Sequence, residues 1–298
     1  MTTLPLGLLG VPSSAAAHAP GLERAPAALR AAGLVDALGA AGRDVVDHGD
    51  TTPARWRHDA PARTVPHDVD RVAAALQEAR AAMVDVLAAG HVPLVVGGEC
   101  TVMLAVLAAA ADAGRDLGVV YVDGGQDLHL PGDHTDEPIA DSMGVAHALD
   151  LPGAHGALAG LGPRRPLLTA DRLAFVGYAD EEEDVHGLVP ATRLPASVVG
   201  TGPEASAADA VRVAGPDGFV VHLDVDVLDF FTLPLADVPT YGRGLTPPVL
   251  ARLLRALVRA DGFAGLVVVE ANPDRDDDAG THLRALVALL AEALAVDP

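Results

Sequence analysis

The feature that most constrains this chain is an alternation of short, continuously apolar runs with longer runs of helical periodicity. Residues 4–10, 93–96, 118–122, 173–176, 218–223 and 266–269 read as strands, with a shorter one at 45–46. Residues 23–32, 68–89, 101–113, 246–260 and 281–293 read as helices. Gly33 and Gly90 close the first two, and Pro247 and Pro248 fit a first helical turn. A strand that is apolar throughout is buried on both faces, so the pattern predicts a mostly parallel sheet between two helical layers, a three-layer α/β fold. Residues 51–66, 124–140 and 229–244 read as irregular. No linker composition or internal repeat divides the chain, so residues 1–298 are read as one domain. Half of these residues are hydrophobic but only 3% are aromatic, which predicts an aliphatic, close-packed core.

Charge narrows the partners. The formal net charge is −21, and every basic residue is arginine. Nucleic acids and anionic membranes select basic patches, so neither is expected, whereas a small cationic substrate would be steered inward. A solvated acidic surface is the plainer reading of most of that charge, and the one preferred. Cys100 is the sole cysteine, which precludes an intrachain disulfide. The N-terminal apolar run is shorter than a signal sequence and no stretch reaches transmembrane length. The expected location is the cytoplasm.

Ligands of open parallel sheets bind beyond the carboxyl ends of the strands, and polar clusters recur there. Gly97-Gly98-Glu99-Cys100 follows one predicted strand, Asp123 another, Asp224 and Asp226 a third, and Glu270 a fourth. They surround one crevice if those strands are neighbours. His222, Asp224 and Asp226 alternate with period two, so all three face one side if the strand persists. Adjacent aspartates repel and need a cation, a proton or an arginine. A hard divalent ion answers that need; a helix cap or loop ion pair is the other reading. Asp123 and Asp127, separated by Gly124-Gly125-Gln126, are a second carboxylate pair or the caps of a glycine-rich turn.

At this point the residues resemble the arginase or ureohydrolase family, which includes arginase, agmatinase and formimidoylglutamase. The resemblance rests on Gly10-Val11-Pro12 with residues 20–34, on residues 222–229 with Pro234, Asp237, Pro239 and Gly242-Arg243-Gly244-Leu245, and on Glu270-Ala271-Asn272-Pro273. It implies an arginase-like fold and two Mn²⁺ ions. In that family the ions bridge a hydroxide that attacks a guanidinium carbon and releases urea. It also implies a homo-oligomer, a trimer or hexamer.

By this resemblance Asp123, Asp127, Asp224 and Asp226 match aspartate metal ligands, and Glu270 matches the glutamate that receives the guanidinium. Asp141 falls near the catalytic histidine. Asp180 and Glu182 fall near the acid that contacts the substrate's α-amino group. Two histidine ligands are replaced, one by Cys100 and one by Gly125. One metal site would keep Cys100, Asp123, Asp127 and Asp224, although a thiolate prefers softer ions than Mn²⁺. The other would keep Asp123, Asp224 and Asp226. His129 and His134 either replace the lost nitrogen or are solvated loop residues, and His222 either packs beneath the site or ligates. Cys100 is also readable as a nucleophile or as a small buried side chain at a helix start.

The expectation is a divergent metallohydrolase acting on a C–N bond of a guanidino or amidino compound. Its metal site is altered or mononuclear, and L-arginine is not the expected substrate. The alternative is a metal-free binding, regulatory or biosynthetic protein on the same fold.

Overall fold

The computed structural model describes residues 4–58, 66–133, 138–179 and 181–296. Eight strands, β1 (Leu6–Val11), β2 (Val45–Asp50), β3 (Val92–Gly97), β4 (Gly118–Val122), β5 (Leu173–Val176), β6 (Thr192–Leu194), β7 (Phe219–Asp224) and β8 (Phe263–Val269), form one sheet in the order β2-β1-β3-β8-β7-β4-β5-β6. Every pairing in it is parallel.

Side-chain alternation divides each strand between two cores. Leu94, Val96, Val120 and Val122 pack on one face with α1 (Ala25–Ala31), α2 (Leu34–Ala40), α9 (Pro247–Arg259) and α10 (Thr281–Leu294). Val95, Val119 and Tyr121 pack on the other with α3 (Val69–Ala88) and α4 (Val102–Asp112). In α9, Leu250, Leu253, Leu254 and Leu257 are fully buried, the spacing of a single helical stripe. Truncating one of them to alanine should cost about 2–5 kcal/mol. Residues 102–110 of α4 are buried on every side, so that helix lies inside the molecule. The three layers are those expected from sequence.

The order β3-β8-β7-β4 places the four polar strand ends side by side. Register then sets their height. Val122 lies opposite Leu223, and Leu223 opposite Val268. Asp123 and Asp224 therefore leave neighbouring strands at one level, with Glu270 one residue beyond Val269. The turn after β3 depends on Gly98: a Cβ there would lie 1.4 Å from the Ser13 carbonyl oxygen. Only glycine allows the chain after β1 to approach so closely.

Some elements differ from expectation. The strand at 45–46 extends to Asp50. The helix expected over 23–32 begins at Ala25, after a single turn at Leu22–Arg24. A second helix, α2, follows at once. Strand β6 and helices α5 (Gly144–Ala148), α6 (Gly156–Ala159), α7 (Ala196–Val199) and α8 (Pro203–Val211) were not expected. Most are a single turn or three residues long, too short to show a period, and tertiary contacts decide them. Strand β7 ends at Asp224, and Val225–Val227 forms a 3₁₀ turn. The strand therefore does not persist through Asp226. No helix among the described residues is long and apolar enough to cross a membrane.

Candidate active site

The strand ends form the floor of a cavity of about 240 Å³ lined by Cys100, Asp123, Asp127, Asp224, Asp226 and Glu270, with Asp141 and Glu183 on its loop side. Among the described residues, no arginine lines it. Oxygens of Asp123, Asp224 and Asp226 lie within 4.8 Å of one another, as do Cys100 Sγ and oxygens of Asp224 and Glu270. The structure thus brings together all five of the metal-ligand candidates and both of the catalytic candidates.

Local turns aim each group. The 3₁₀ turn keeps Asp226 in the cluster although the strand has ended: its amide donates to Asp224 Oδ1 at 2.7 Å, and its own Oδ1 accepts from the Gly124 amide at 2.8 Å. Asp127 sits in the left-handed region at φ 50°, which short polar side chains tolerate. The Tyr121 hydroxyl donates to its carboxylate. Glu270 is also left-handed, at φ 65°, and its amide donates to the Gly98 carbonyl at 2.8 Å. A glutamate with positive φ is uncommon, and such strain concentrates at functional sites. Its Oε1 is buried without a hydrogen-bond partner.

Cys100 begins the segment leading into α4. Its amide donates to Asp141 Oδ1 at 2.8 Å, and its Sγ lies 3.0 Å from Asp224 Oδ2 and 3.9 Å from Asp123 Oδ2. The Asp141 carboxyl is also hydrogen-bonded to Glu270. His222 is fully buried below this layer, stacked on Tyr121 with ring centroids 4.1 Å apart. Its Nε2 is 3.9 Å from Asp123 Oδ2.

Crowding and burial disfavour charge throughout. Burial, reinforced by neighbouring carboxylates, holds Asp123, Asp127, Asp141, Asp224 and Glu270 well above the ordinary carboxylate range. Burial pushes Asp226 up to about 6 against the opposing hydrogen bond from Gly124. The Cys100 thiol is raised by burial and then by the surrounding carboxylates, while burial lowers His222 to about 3. A buried set of acids with no arginine must hold protons or cations. The oxygen-rich donors fit a divalent cation.

The loop side departs from the residues singled out in the sequence. Glu182 pairs instead with Arg193 Nε at 2.8 Å, with half of its side chain exposed, and does not line the cavity. Asp180 and His134 lie outside the described residues. His129 lines the cavity. The acid that enters from this acidic run is Glu183, whose two oxygens accept from the amides of Gln126 at 2.9 Å and Leu128 at 3.0 Å. A Cβ on Gly125 would lie 2.8 Å from Glu183 Oε1. The loss of a side chain at 125 and the inward turn of Glu183 are therefore one arrangement. Sequence alone offers several adjacent acids here and no period to choose among them. Tyr121, by contrast, had a signal: it shares strand parity with Asp123.

An arginase-family profile matches residues 5–295. An arginase of Brevibacillus brevis is 27% identical over 291 residues, covering 96% of each chain. The solved arginase of Bacillus caldovelox superposes with a TM-score of 0.85 at 22% identity, over 99% of both chains. A formiminoglutamase of Trypanosoma cruzi, solved with Mn²⁺, superposes with a TM-score of 0.74 at 18% identity, over 98% of this chain and 93% of that one.

Proposed function

The chain belongs to the arginase family, and from that premise we propose that it is a divalent-cation-dependent hydrolase cleaving a C–N bond of a small amidino or guanidino compound. The observation that carries this reading is the cavity itself, which gathers seven buried or half-buried carboxylates and, among the described residues, no arginine. Asp123, Asp127, Asp224 and Asp226 would hold the cation, with Cys100 beside them. Mn²⁺, present in the Trypanosoma cruzi relative, is the first ion to try. Such an ion supplies Lewis-acid polarisation and activates water near neutral pH.

The remaining residues have roles that follow from their placement. Glu270 Oε1, buried and unpartnered, is free to accept an N–H from a planar amidino group. Its backbone anchor on Gly98 fixes where that group sits, which is the positioning that catalysis requires. Asp141, hydrogen-bonded to both Glu270 and the Cys100 amide, holds a proton near the nitrogen that must leave. Water adds to the amidino carbon and passes a proton to a cavity carboxylate, the C–N bond breaks as the Asp141 proton goes to the departing amine, and the proton taken from water restores Asp141. Glu183 presents its carboxyl group at the loop side, suited to a cationic tail of the substrate. Cys100 and Gly125 in place of two nitrogen ligands argue for a substrate other than L-arginine.

The test is metal analysis of protein purified without chelator, together with urea and amine release from guanidino and amidino compounds of varied tail charge. A bound divalent ion and ion-dependent turnover support the proposal. Absence of both, with Mn²⁺, Co²⁺ or Zn²⁺ added, overturns it. A second reading, a metal-free binding protein, is favoured by the side-chain-free position 125. It is retired if Asp224→Ala abolishes an ion-stimulated hydrolysis.

A further inference from the structure

His222 is the group that the proposed chemistry leaves unused. It is fully buried, and neither ring nitrogen has a hydrogen-bond partner. Buried polar groups in folded proteins are nearly always satisfied, so an orphaned imidazole needs an explanation. Glu99 provides the contrast nearby: equally buried, it accepts from Ser13 Oγ at 2.7 Å and from the Thr101 hydroxyl and amide. The orphaned ring is held in place. It stacks on Tyr121 with 5° between planes, and that tyrosine is tied to Asp127. The stack leaves the Nε2 edge facing Asp123.

Cys100 Sγ, an Asp123 oxygen and a His222 nitrogen all lie within 4.8 Å of one another. Bond lengths of about 2.0–2.3 Å set ligand separations of roughly 3.3–3.6 Å around a tetrahedral ion. The observed separations bracket that range. Cys100 Sγ is 3.0 Å from Asp224 Oδ2 and 3.9 Å from Asp123 Oδ2, and Asp123 Oδ2 is 3.9 Å from His222 Nε2. Shifts of a few tenths of an ångström would bring these three separations into that range, and Cys100 Sγ and the His222 nitrogen already lie within 4.8 Å.

We propose that Cys100, Asp123 and His222, with Asp224 beside the sulfur, form a mixed sulfur–nitrogen–oxygen site for a borderline cation such as Zn²⁺, Co²⁺ or Fe²⁺. The nitrogen missing at positions 100 and 125 is supplied from beneath the carboxylates. This rests on the reading that the cavity holds a divalent ion, and it changes which ion. Thiolate and imidazole donors favour Zn²⁺ and its neighbours, whereas an all-oxygen set suits Mn²⁺ and Mg²⁺. Binding displaces the thiol proton to solvent, and the neutral imidazole donates its ring lone pair. Asp127 and Asp226 remain for a second, harder ion or for substrate.

The experiment is Co²⁺ titration of the chelator-stripped full chain, read by absorption, with Zn²⁺/Mn²⁺ competition read by metal analysis. The expected result is a thiolate-to-cobalt charge-transfer band in the near ultraviolet, absent in Cys100→Ser. Zn²⁺ should outcompete Mn²⁺ by at least about 100-fold, with that preference reduced about 10-fold or more by either Cys100→Ser or His222→Gln. His222→Phe keeps the stack on Tyr121 while removing the nitrogens, so it separates ligation from packing; its Zn²⁺ affinity should fall with unchanged far-ultraviolet circular dichroism. Tight binding of Mn²⁺ or Co²⁺ with no sulfur band and no effect of either substitution overturns this assignment and leaves the proposed hydrolase standing. Failure to bind any divalent ion overturns both.

Discussion

The two walls of the cavity are built on different principles. The strand-end wall, Asp123, Asp224, Asp226 and Glu270, is held by main-chain pairing of β4, β7 and β8 and by the turns that follow them. The loop wall, Asp127, Asp141 and Glu183, is held largely through its functional side chains. Glu183 ties down Gln126 and Leu128, Asp141 binds the Cys100 amide, and Tyr121 fixes Asp127. On the first wall the strand ladder keeps its place when a carboxylate changes, and only the turns beyond it, where Asp224 and Asp226 accept from the amides of Asp226 and Gly124, depend on those side chains. On the second, chemistry and architecture are the same contacts, so altering a functional group also loosens its support.

The largest effect expected from this contrast is at Asp224, the carboxylate nearest Cys100 Sγ. Asp224→Asn should lower divalent-ion affinity by more than the ~100-fold typical of losing an outer-shell partner, with circular dichroism unchanged. Loss of the fold instead would break the claim that this wall is independently supported. Glu270→Gln should lower kcat/KM by about 10²–10³-fold, the scale of a removed electrostatic contact at a reacting group. Ion affinity, followed by calorimetry, should stay within a few-fold. On the loop wall, Glu183→Gln should move both properties together. KM for a cationic substrate should rise roughly tenfold and stability fall by about 1–2 kcal/mol as two charge-assisted hydrogen bonds weaken. Hydrogen exchange at Gln126 and Leu128 should quicken.

A smaller, pH-dependent effect belongs to Asp226. Its folded pKa, about 6, is raised above the unfolded value by burial. An acid shifted in this direction favours the fold fully below about pH 4, and that support is lost as pH rises through 6. Chelator-treated Asp226→Asn should therefore gain stability relative to the parent chain between pH 4 and 7, by on the order of 1–2 kcal/mol. Thermal unfolding across that range measures it, and added divalent ion should reverse the ranking. The smallest effect is at Glu182, whose half-exposed pairing with Arg193 lies outside the cavity. Glu182→Gln should change turnover less than threefold and stability by no more than about 0.5 kcal/mol.

The same division governs what could be read from the chain beforehand. The strand-end acids were legible because each follows an apolar run, and a parallel sheet collects such ends on one edge. Strands 118–122 and 173–176 match β4 and β5. The loop acids were less legible. Asp180, Glu182 and Glu183 sit in one unpatterned acidic stretch, and only the approach of Gln126 and Leu128 amides selects Glu183. Asp141 was reached through resemblance to a family motif, and its contact with the Cys100 amide joins segments 41 residues apart.

By itself, the sequence determined the layered parallel architecture, the burial of the strands and the presence of acids after four of them. Hydrophobic periodicity is a local property and needs no partner to be seen. Only the tertiary structure decided that β3, β8, β7 and β4 are consecutive neighbours, that the acidic stretch sends Glu183 inward, and that His222 stacks on Tyr121 with its nitrogens unpartnered. Strand order and side-chain satisfaction are set by contacts between residues distant in the chain, which no local pattern encodes.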